Sequence, residues 1–305
     1  MRGFSLLAIL FTVSGMPAKA SATDFHLYFL GGQSNMEGYG SVEKLPPELA
    51  NVQSDVLIFH GNPAPDGSPA GGRGVWTRLG PGHGHPFRSD GVTSKYSDRF
   101  GIELTFARQI ARRFPDRRIA ILKYANGGTS LDPAAAKKFG CCAPEFEQGN
   151  QFDHFLKALQ QAKAEKDIDG DDEPDRLIPA GIVWMQGESD ANHTLEIANR
   201  YRSNLNRVLH SIRQALGNEN LNIALGRVSP SQLPDLFWKH LDLIRTAQTD
   251  FAREDGNTTL ITSSDEYGFS DFWHYDAQAY LELGREFGDA LADLELRGTE
   301  NNDSP

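Results

Sequence analysis

Four short segments of the chain carry residue types that could do chemistry together. Three of them combine a serine, an amide or an acid with glycines, and each follows an apolar run: residues 31–36 (Gly-Gly-Gln-Ser-Asn-Met), 126–130 (Asn-Gly-Gly-Thr-Ser) and 184–190 (Trp-Met-Gln-Gly-Glu-Ser-Asp). The fourth, residues 271–274, places an aspartate three residues before a histidine. At that spacing on one turn the two side chains lie next to each other, so the carboxylate can accept the imidazole N–H.

This set of residues predicts a nucleophilic serine. A serine hydroxyl needs a neutral imidazole to take its proton, a carboxylate to orient that imidazole, and N–H donors for the developing oxyanion. Ser34, His274 and Asp271 are the candidates for the nucleophile, the base and the orienting acid. The candidate oxyanion donors are the backbone N–H groups of Ser34 and Gly127 and the side-chain amide of Gln186. The Asp-x-x-His spacing alone is common, and its weight comes from the other three segments.

The order of the predicted elements indicates how these segments could meet. Strands and helices alternate, and the strands are continuously apolar, which predicts an α/β fold with a parallel sheet covered on both faces. In such sheets functional groups gather at the carboxyl ends of the strands. Residues 62–95, rich in glycine and proline, are expected to form one long surface loop. Long helices are predicted over residues 191–216 and after Asp276, which would be an N-cap.

The two ends of the chain differ from its middle. Residues 1–20 combine Arg2, an apolar run and Ala-Lys-Ala, a pattern typical of a secretory signal peptide. We therefore expect a secreted or periplasmic protein that has no membrane contact after cleavage. Residues 21–297 are expected to form one domain, and the polar residues 298–305 a disordered tail.

The composition excludes several classes of protein. The chain has 305 residues, of which 39% are hydrophobic and 23% charged, so it is neither mostly disordered nor a polytopic membrane protein. With 30 Lys and Arg against 41 Asp and Glu, nucleic acid is not an expected partner, because phosphate binding needs a basic surface. The only two cysteines, 141 and 142, are adjacent. No disulfide framework is expected, although a strained bond between them or a bond to another chain is an alternative.

The four segments together resemble the SGNH hydrolases, and within them the carbohydrate-esterase branch of sialate O-acetylesterase-like proteins and family 6-like acetylxylan esterases. The nucleophile motif of that branch matches residues 32–36, and its other blocks match residues 127–131, 184–190 and 271–276. The resemblance covers residues 27–288. No Gly-x-Ser-x-Gly elbow surrounds any serine, which argues against an α/β-hydrolase.

The resemblance implies a three-layer α/β/α sandwich of flavodoxin-like type, with a central parallel sheet. It implies a serine esterase that removes acetyl groups from carbohydrate hydroxyls without a cofactor, through Ser34, His274 and Asp271. Four further residues of the matching blocks are expected to support the site: Gln33, Asn35, Gly128 and Glu188. For Glu188 we expect a bracing role through hydrogen bonds to the Ser34 loop, because an ionised carboxylate beside the oxyanion would oppose the developing charge.

Two other functions stay open at this point. One is an acyltransferase that uses the same triad on another sugar acceptor, and the other is a carbohydrate-binding module without activity. If the chain is an esterase, its acetylated carbohydrate substrate could be sialic acid, xylan or a related glycan.

One acidic segment indicates a possible structural metal. Oxygen ligands at alternate positions beside a glycine resemble the start of a calcium-binding loop, and the candidates are Asp167, Asp169, Asp171 and Asp175. The glycine comes fourth in this loop instead of sixth, and an isoleucine occupies the twelfth position, where calcium loops have a glutamate. A solvated acidic turn is the alternative. The two histidines at 83 and 85 are too few to indicate a metal and are expected in a substrate-side loop.

Overall fold

The computed structural model describes residues 22–230 and 238–302, so the predicted signal peptide lies outside the described residues. The strands of the described part are, in chain order, β1 (Thr23–Gly32), β2 (Gly40–Ser41), β3 (Gln53–His60), β4 (Trp76–Leu79), β5 (Arg88–Ser89), β6 (Ser94–Lys95), β7 (Arg99–Phe100), β8 (Arg118–Ala125), β9 (Asp175–Met185), β10 (Ile223–Gly226) and β11 (Thr258–Ile261). Its α-helices are α1 (Ser34–Glu37), α2 (Glu103–Arg113), α3 (Gln151–Ala164), α4 (Glu188–Ala191), α5 (Leu195–Leu216), α6 (Leu241–Glu254) and α7 (Ala277–Asn302).

Seven of the strands form one sheet in the order β11-β10-β9-β1-β8-β3-β4. Every neighbouring pair is parallel except β3 and β4, which are antiparallel. The predicted α/β fold with a central parallel sheet is therefore confirmed. The edge strand β4 lies inside residues 62–95, which the sequence indicates as one continuous loop. Four residues are too few to show a strand pattern among so many glycines and prolines, and it is the pairing with β3 that makes them a strand.

Helices cover both faces of this sheet, which makes the three layers. Along β1, Phe25, Leu27 and Phe29 pack into the core that α3, α5 and α6 complete. Tyr28 and Leu30 point the other way, into the core shared with α2 and α7. Because both faces of the strand are buried, its sequence is continuously apolar instead of alternating.

The helix predicted over residues 191–216 is α5, which ends at Leu216 as predicted but begins at Leu195. Ala191 is the last residue of the preceding short helix α4. The side chain of Thr194 accepts the N–H of Ile197 at 3.4 Å, so it caps the new helix. The hydrophobic spacing of α5 is clear in the sequence, but this capping threonine is what sets its start.

The last helix begins as predicted and ends later than predicted. The carboxylate of Asp276 accepts the N–H of Ala279 at 2.9 Å, which is the expected capping bond. The helix then continues to Asn302, so residues 298–302 are helical instead of a loose tail. A glycine such as Gly298 costs a helix only about 1 kcal/mol relative to alanine, which is too little to end it here. Residues 303–305 lie outside the described part.

The two cysteines are free thiols. Burial raises the pKa of the Cys141 thiol to about 12, so it is almost entirely protonated and unreactive at neutral pH. None of the helices in the described ranges combines the length and the apolar character needed to cross a bilayer.

Candidate active site

Three of the four predicted segments meet because their strands are neighbours in the sheet. Strand β1 lies between β8 and β9. The last residue of β1, Gly32, is in register with Ala125 at the end of β8 and with Met185 at the end of β9. The loops after these strands therefore leave the sheet side by side, at its carboxyl edge.

The end of β1 requires glycine. Gly32 has a φ of +146°, and a Cβ added there would lie 1.9 Å from the carbonyl oxygen of Met185. The chain then passes through Gln33, whose side-chain oxygen accepts the N–H groups of Gly187 at 3.3 Å and Ser189 at 3.4 Å. Gln33 thus joins the first segment to the third.

Ser34 is the first residue of α1 and is only 7% exposed. No acceptor for its backbone N–H is found among the described residues. Gly127 lies directly beside it, since a Cβ added to Gly127 would be 3.4 Å from the Cβ of Ser34. The glycine allows the second segment to approach the serine this closely.

Asp271 and His274 form the pair that their spacing predicts. The Nδ1 atom of His274 lies 2.8 Å from the Oδ2 atom of Asp271. The other carboxylate oxygen accepts the backbone N–H groups of Trp273 and His274, both at 2.8 Å. The carboxylate therefore fixes both the imidazole and the turn that carries it.

The environment of this pair favours a neutral imidazole and an ionised acid. Burial lowers the pKa of His274, and although the charges of Asp271 and Glu37 raise it, the net direction is down. Burial alone would raise the pKa of Asp271, but hydrogen bonds from the His274 ring and from two backbone N–H groups outweigh it and lower that pKa. A neutral imidazole is the form that can accept a proton.

Asn35 holds the histidine turn against the serine loop. Its amide nitrogen donates to the carbonyl oxygen of Trp273 at 3.1 Å and to the carboxyl of Glu188 at 2.9 Å. Its amide oxygen accepts the N–H of Tyr275 at 3.4 Å and the hydroxyl of Tyr280 at 2.9 Å. Both chain neighbours of His274 are thus bonded to the residue that follows Ser34.

The bond from Asn35 gives Glu188 the bracing contact that the sequence predicts. The carboxyl is 6% exposed, and burial raises its pKa in spite of that hydrogen bond. Its protonated form is therefore favoured more than that of an ordinary glutamate.

Three residues of the site were missed by sequence reasoning. The ring of Tyr39 stacks on that of His274 with centroids 3.5 Å apart and on that of His85 with centroids 4.9 Å apart. The carboxylate of Glu37, 2% exposed, lies 2.7 Å from the Nδ1 atom of His85. Their nearness to Ser34 in the sequence was the signal that could have identified two of them, since Glu37 and Tyr39 follow it by three and five residues. His85 falls in the loop that was expected on the substrate side.

One cavity of about 520 Å³ joins these groups. Ser34 and His274 both line it, as do Gly127 and Gly128 of the second segment. Among the described residues no hydrogen bond joins the hydroxyl of Ser34 to the His274 ring. Catalytic hydrogen bonds in unliganded enzymes are often long and shorten only when substrate binds.

Two of the three predicted oxyanion donors are already engaged elsewhere. The N–H of Gly127 donates to the Oε2 atom of Glu37 at 2.9 Å. The side-chain amide of Gln186 donates to Asp190 at 2.7 Å and to the carbonyl oxygen of Thr129 at 3.2 Å, so both of its hydrogens are used. These bonds correct the assignments of Gly127 and Gln186, because each of these N–H groups already donates to an acceptor of the protein and is not available to an oxyanion.

Gly128 is the better-placed donor in the same loop. Its backbone has a φ of +75°, which glycine adopts without strain, and the residue lines the cavity. Its N–H has no acceptor among the residues that the structure describes. Ser34 and Gly128 therefore both line the cavity and both carry a backbone N–H without an acceptor in the described part of the chain.

The acidic loop before β9 lies apart from this cavity. Carboxylate oxygens of Asp167, Asp169 and Asp175 come within 4.8 Å of one another, whereas Asp171 does not join them. Asp167 already accepts three backbone N–H groups of its own loop, and Asp169 is paired with Arg118 at 2.7 Å. Calcium binding by this loop stays a prediction.

The fold is similar to those of several solved structures. A protein of Arabidopsis thaliana is similar with a TM-score of 0.61 and 19% identity, over 90% of this chain and 99% of that one. XAC1771, a carbohydrate acetylesterase from Xanthomonas citri, is similar with a TM-score of 0.58 and 16% identity, over 88% and 56%. NanS is similar with a TM-score of 0.56 and 15% identity, over 93% and 100%. No curated protein sequence matches the chain.

The family relationship defines a carboxylic ester hydrolase, and the α/β/α fold is the one that the sequence predicts. The chain belongs to the family described as carbohydrate esterase, sialic acid-specific acetylesterase, whose sequence model matches residues 24–293. The match covers nearly the whole chain, so the alternative of a binding module without activity is wrong, and the general activity is that of a carbohydrate acetylesterase.

Proposed function

We propose that the chain is a secreted serine esterase that removes O-acetyl groups from an acidic sugar through a Ser34–His274–Asp271 triad. The observation that carries the proposal is the 2.8 Å contact of His274 Nδ1 with Asp271 in the wall of the cavity that also holds Ser34. The signal-like sequence of residues 1–20 supports export.

The reaction follows from these positions. The hydroxyl of Ser34 attacks the acetyl carbonyl while its proton passes to the Nε2 atom of His274. The backbone N–H groups of Ser34 and Gly128 hold the tetrahedral oxyanion. His274 then gives the proton to the sugar oxygen as the ester bond breaks, which leaves an acetyl group on Ser34. Water attacks that acetyl-enzyme by the same route and releases acetate.

Replacing the nucleophile tests this proposal. Ser34→Ala should lower the rate of acetate release from an O-acetylated sugar by at least about 10⁴-fold, with an unchanged melting temperature. Ser189→Ala is the matched control, because this serine lines the same cavity but has no part in the proposed proton transfers. If Ser34→Ala kept more than a tenth of the wild-type rate, Ser34 would not be the nucleophile.

One feature of the cavity favours an acidic sugar over a neutral one. Lys137 lines the wall, and no ion pair of its ammonium group occurs within the described ranges. The pKa of the neighbouring His193 is lowered, mainly by burial and also by the positive charge of Lys137. The unpaired ammonium group can bind the carboxylate of sialic acid, which unsubstituted xylan does not have.

This substrate preference has its own test. Lys137→Ala should lower kcat/KM for O-acetylated sialic acid about tenfold, as expected for the loss of a charge-assisted hydrogen bond, and leave kcat/KM for acetylated xylose unchanged. Lys138→Ala is the control, because that ammonium group lies 4.9 Å from the ring of Phe139 and does not line the cavity. A wild-type enzyme that prefers acetylated xylose would show that the substrate is neutral.

A further inference from the structure

A second pair of an acid and an imidazole lines the same cavity and has no part in the proposed proton transfers. The Nδ1 atom of His85 lies 2.7 Å from the Oε1 atom of Glu37. The Oε2 atom of that carboxylate is held by the N–H of Gly127. This repeats the arrangement of His274 with Asp271, in which a carboxylate fixes one nitrogen of the ring and leaves the other to act.

The geometry determines which nitrogen of His85 is available. A carboxylate oxygen accepts, so the hydrogen of the neutral ring is on Nδ1 and the Nε2 atom carries a lone pair. The Nε2 atom is on the far side of the ring from Glu37, and no partner for it exists within residues 22–230 and 238–302. The side chain is 38% exposed, in contrast to the 2% of Glu37, and it lines the cavity.

The ring is also held in place relative to the catalytic histidine. Both His85 and His274 lie nearly parallel to the ring of Tyr39, at interplanar angles of 6° and 2°. Each imidazole centroid is within 5 Å of the tyrosine centroid. His85 therefore lies in the wall of the same cavity as Ser34 and His274, where a sugar with its acetyl group at Ser34 can present another hydroxyl group to it.

We propose that His85 is a specificity-determining residue that accepts a hydrogen bond at Nε2 from a free hydroxyl of the acetylated sugar. Every carbohydrate leaving group has such hydroxyls, and a simple aryl acetate has none. The inference rests on the proposed function, because it assigns a role at the same cavity. It predicts that His85 contributes to the recognition of sugars and contributes nothing to the hydrolysis of an ester without hydroxyl groups.

The variant His85→Asn distinguishes the roles of the two ring nitrogens. The asparagine amide can donate to Glu37 where Nδ1 did, so the buried carboxylate keeps a partner, but nothing replaces Nε2. We expect kcat/KM for an O-acetylated sugar to fall about tenfold, the effect of losing one hydrogen bond, mainly through KM. For p-nitrophenyl acetate we expect a change below twofold. The surface variant His210→Asn should change neither value.

Each outcome of this experiment decides the inference. An equal loss on both substrates would overturn it and assign His85 to the chemistry or to the integrity of the site. No loss on either substrate would show that His85 does not bind the sugar. The wild-type and Ser34→Ala enzymes are assayed alongside: failure of the proposed function appears as a wild-type enzyme without acetate release, or as an active Ser34→Ala variant.

Discussion

At the scale of single residues, the proposed proton transfer from Ser34 requires a neutral His274 imidazole. Burial lowers the pKa of this imidazole below the usual value of 6.5, so the proton acceptor exists over a wider acidic range than a surface histidine would allow. Asp271 stabilises the charged ring, so it raises the pKa of His274 while burial lowers it. Its hydrogen bond to Nδ1 also fixes the tautomer of the ring. The balance favours the neutral imidazole, which carries its hydrogen on Nδ1 and can accept a proton at Nε2.

The pH dependence of kcat/KM follows with its sign. The protonated ring cannot act as a base, so activity is lost as the pH falls through the pKa of His274. Because that pKa is lowered, the acidic limb of the profile should have its midpoint below 6.5. A profile of kcat/KM on p-nitrophenyl acetate measures this midpoint without interference from the charge of the sugar. A midpoint above 6.5 would contradict the environment described for His274.

At the scale of secondary-structure elements, the central feature is the connection of α1 to the turn before α7. Asn35 belongs to α1 and bonds to Trp273 and Tyr275, the two chain neighbours of His274. The sheet aligns the first three segments, but the fourth comes from a turn outside it and needs a contact of this kind. The amide of one residue provides that contact.

Loss of this amide should affect both stability and catalysis. Asn35→Ala removes the partners of two backbone groups and of the buried Glu188, which should lower the free energy of unfolding by about 1–3 kcal/mol. It should also lower kcat more than tenfold, because the turn that carries His274 loses its bonds to α1. Chemical denaturation and steady-state kinetics measure the two effects.

The matched variant is Tyr280→Phe, which removes one donor to Asn35 and leaves the bonds to the turn intact. It should be destabilised with a nearly unchanged kcat. If Tyr280→Phe lost as much kcat as Asn35→Ala, the contact with the turn would not be the cause.

The sequence predicted local features of these elements better than it predicted contacts between side chains that are distant along the chain. The glycine at the end of β1, the pair at 271 and 274, and the capping role of Asp276 are local, because a few neighbouring residues determine each. The engagement of Gln186 by Asp190, and of the Gly127 N–H by Glu37, depends on side chains that meet only in the folded protein. For that reason the two oxyanion assignments based on motif position were corrected by the structure, while the local features were found.

At the scale of the whole molecule, a buried ion pair connects the sheet to the segments that carry the site. Lys123, in β8, and Glu103, at the start of α2, are both 0% exposed, with Nζ 2.8 Å from Oε2. The ammonium group also donates to the carbonyl oxygens of Glu37 and His83. It therefore links the sheet to the helix of Ser34 and to the loop that leads to His85. The hydrophobic pattern of β8 predicts a strand but gives no indication that its lysine is buried and paired.

Breaking this pair should destabilise the fold strongly. Lys123→Met leaves the carboxyl of Glu103 buried without its cation, which costs about 3–5 kcal/mol, and the double variant with Glu103→Leu should recover most of that loss. Thermal or chemical unfolding of the three proteins measures this. A single variant as stable as the wild type would show that the pair does not stabilise the fold.

The same pair gives stability a pH dependence. Burial raises the pKa of Glu103, but the charge and hydrogen bond of Lys123 outweigh burial and lower the pKa below 4.5. The stability contributed by the ionised carboxylate is complete above about pH 4.5 and is lost as the pH falls through the folded-state pKa. In the Lys123→Met variant burial without the cation raises the folded-state pKa of Glu103, so the contribution of this carboxyl changes sign. The destabilisation of the variant should then become smaller as the pH is lowered toward 4.5, which unfolding curves across pH would detect.

The central claim is that the Ser34 hydroxyl is the nucleophile activated by His274. A fluorophosphonate reacts covalently with an activated serine, and peptide mass spectrometry then identifies the modified residue. We predict a single labelled site at Ser34, with labelling much slower in Asp271→Asn because the imidazole loses its orienting carboxylate. A label on any other serine, or full esterase activity after Ser34 is modified, would contradict the account.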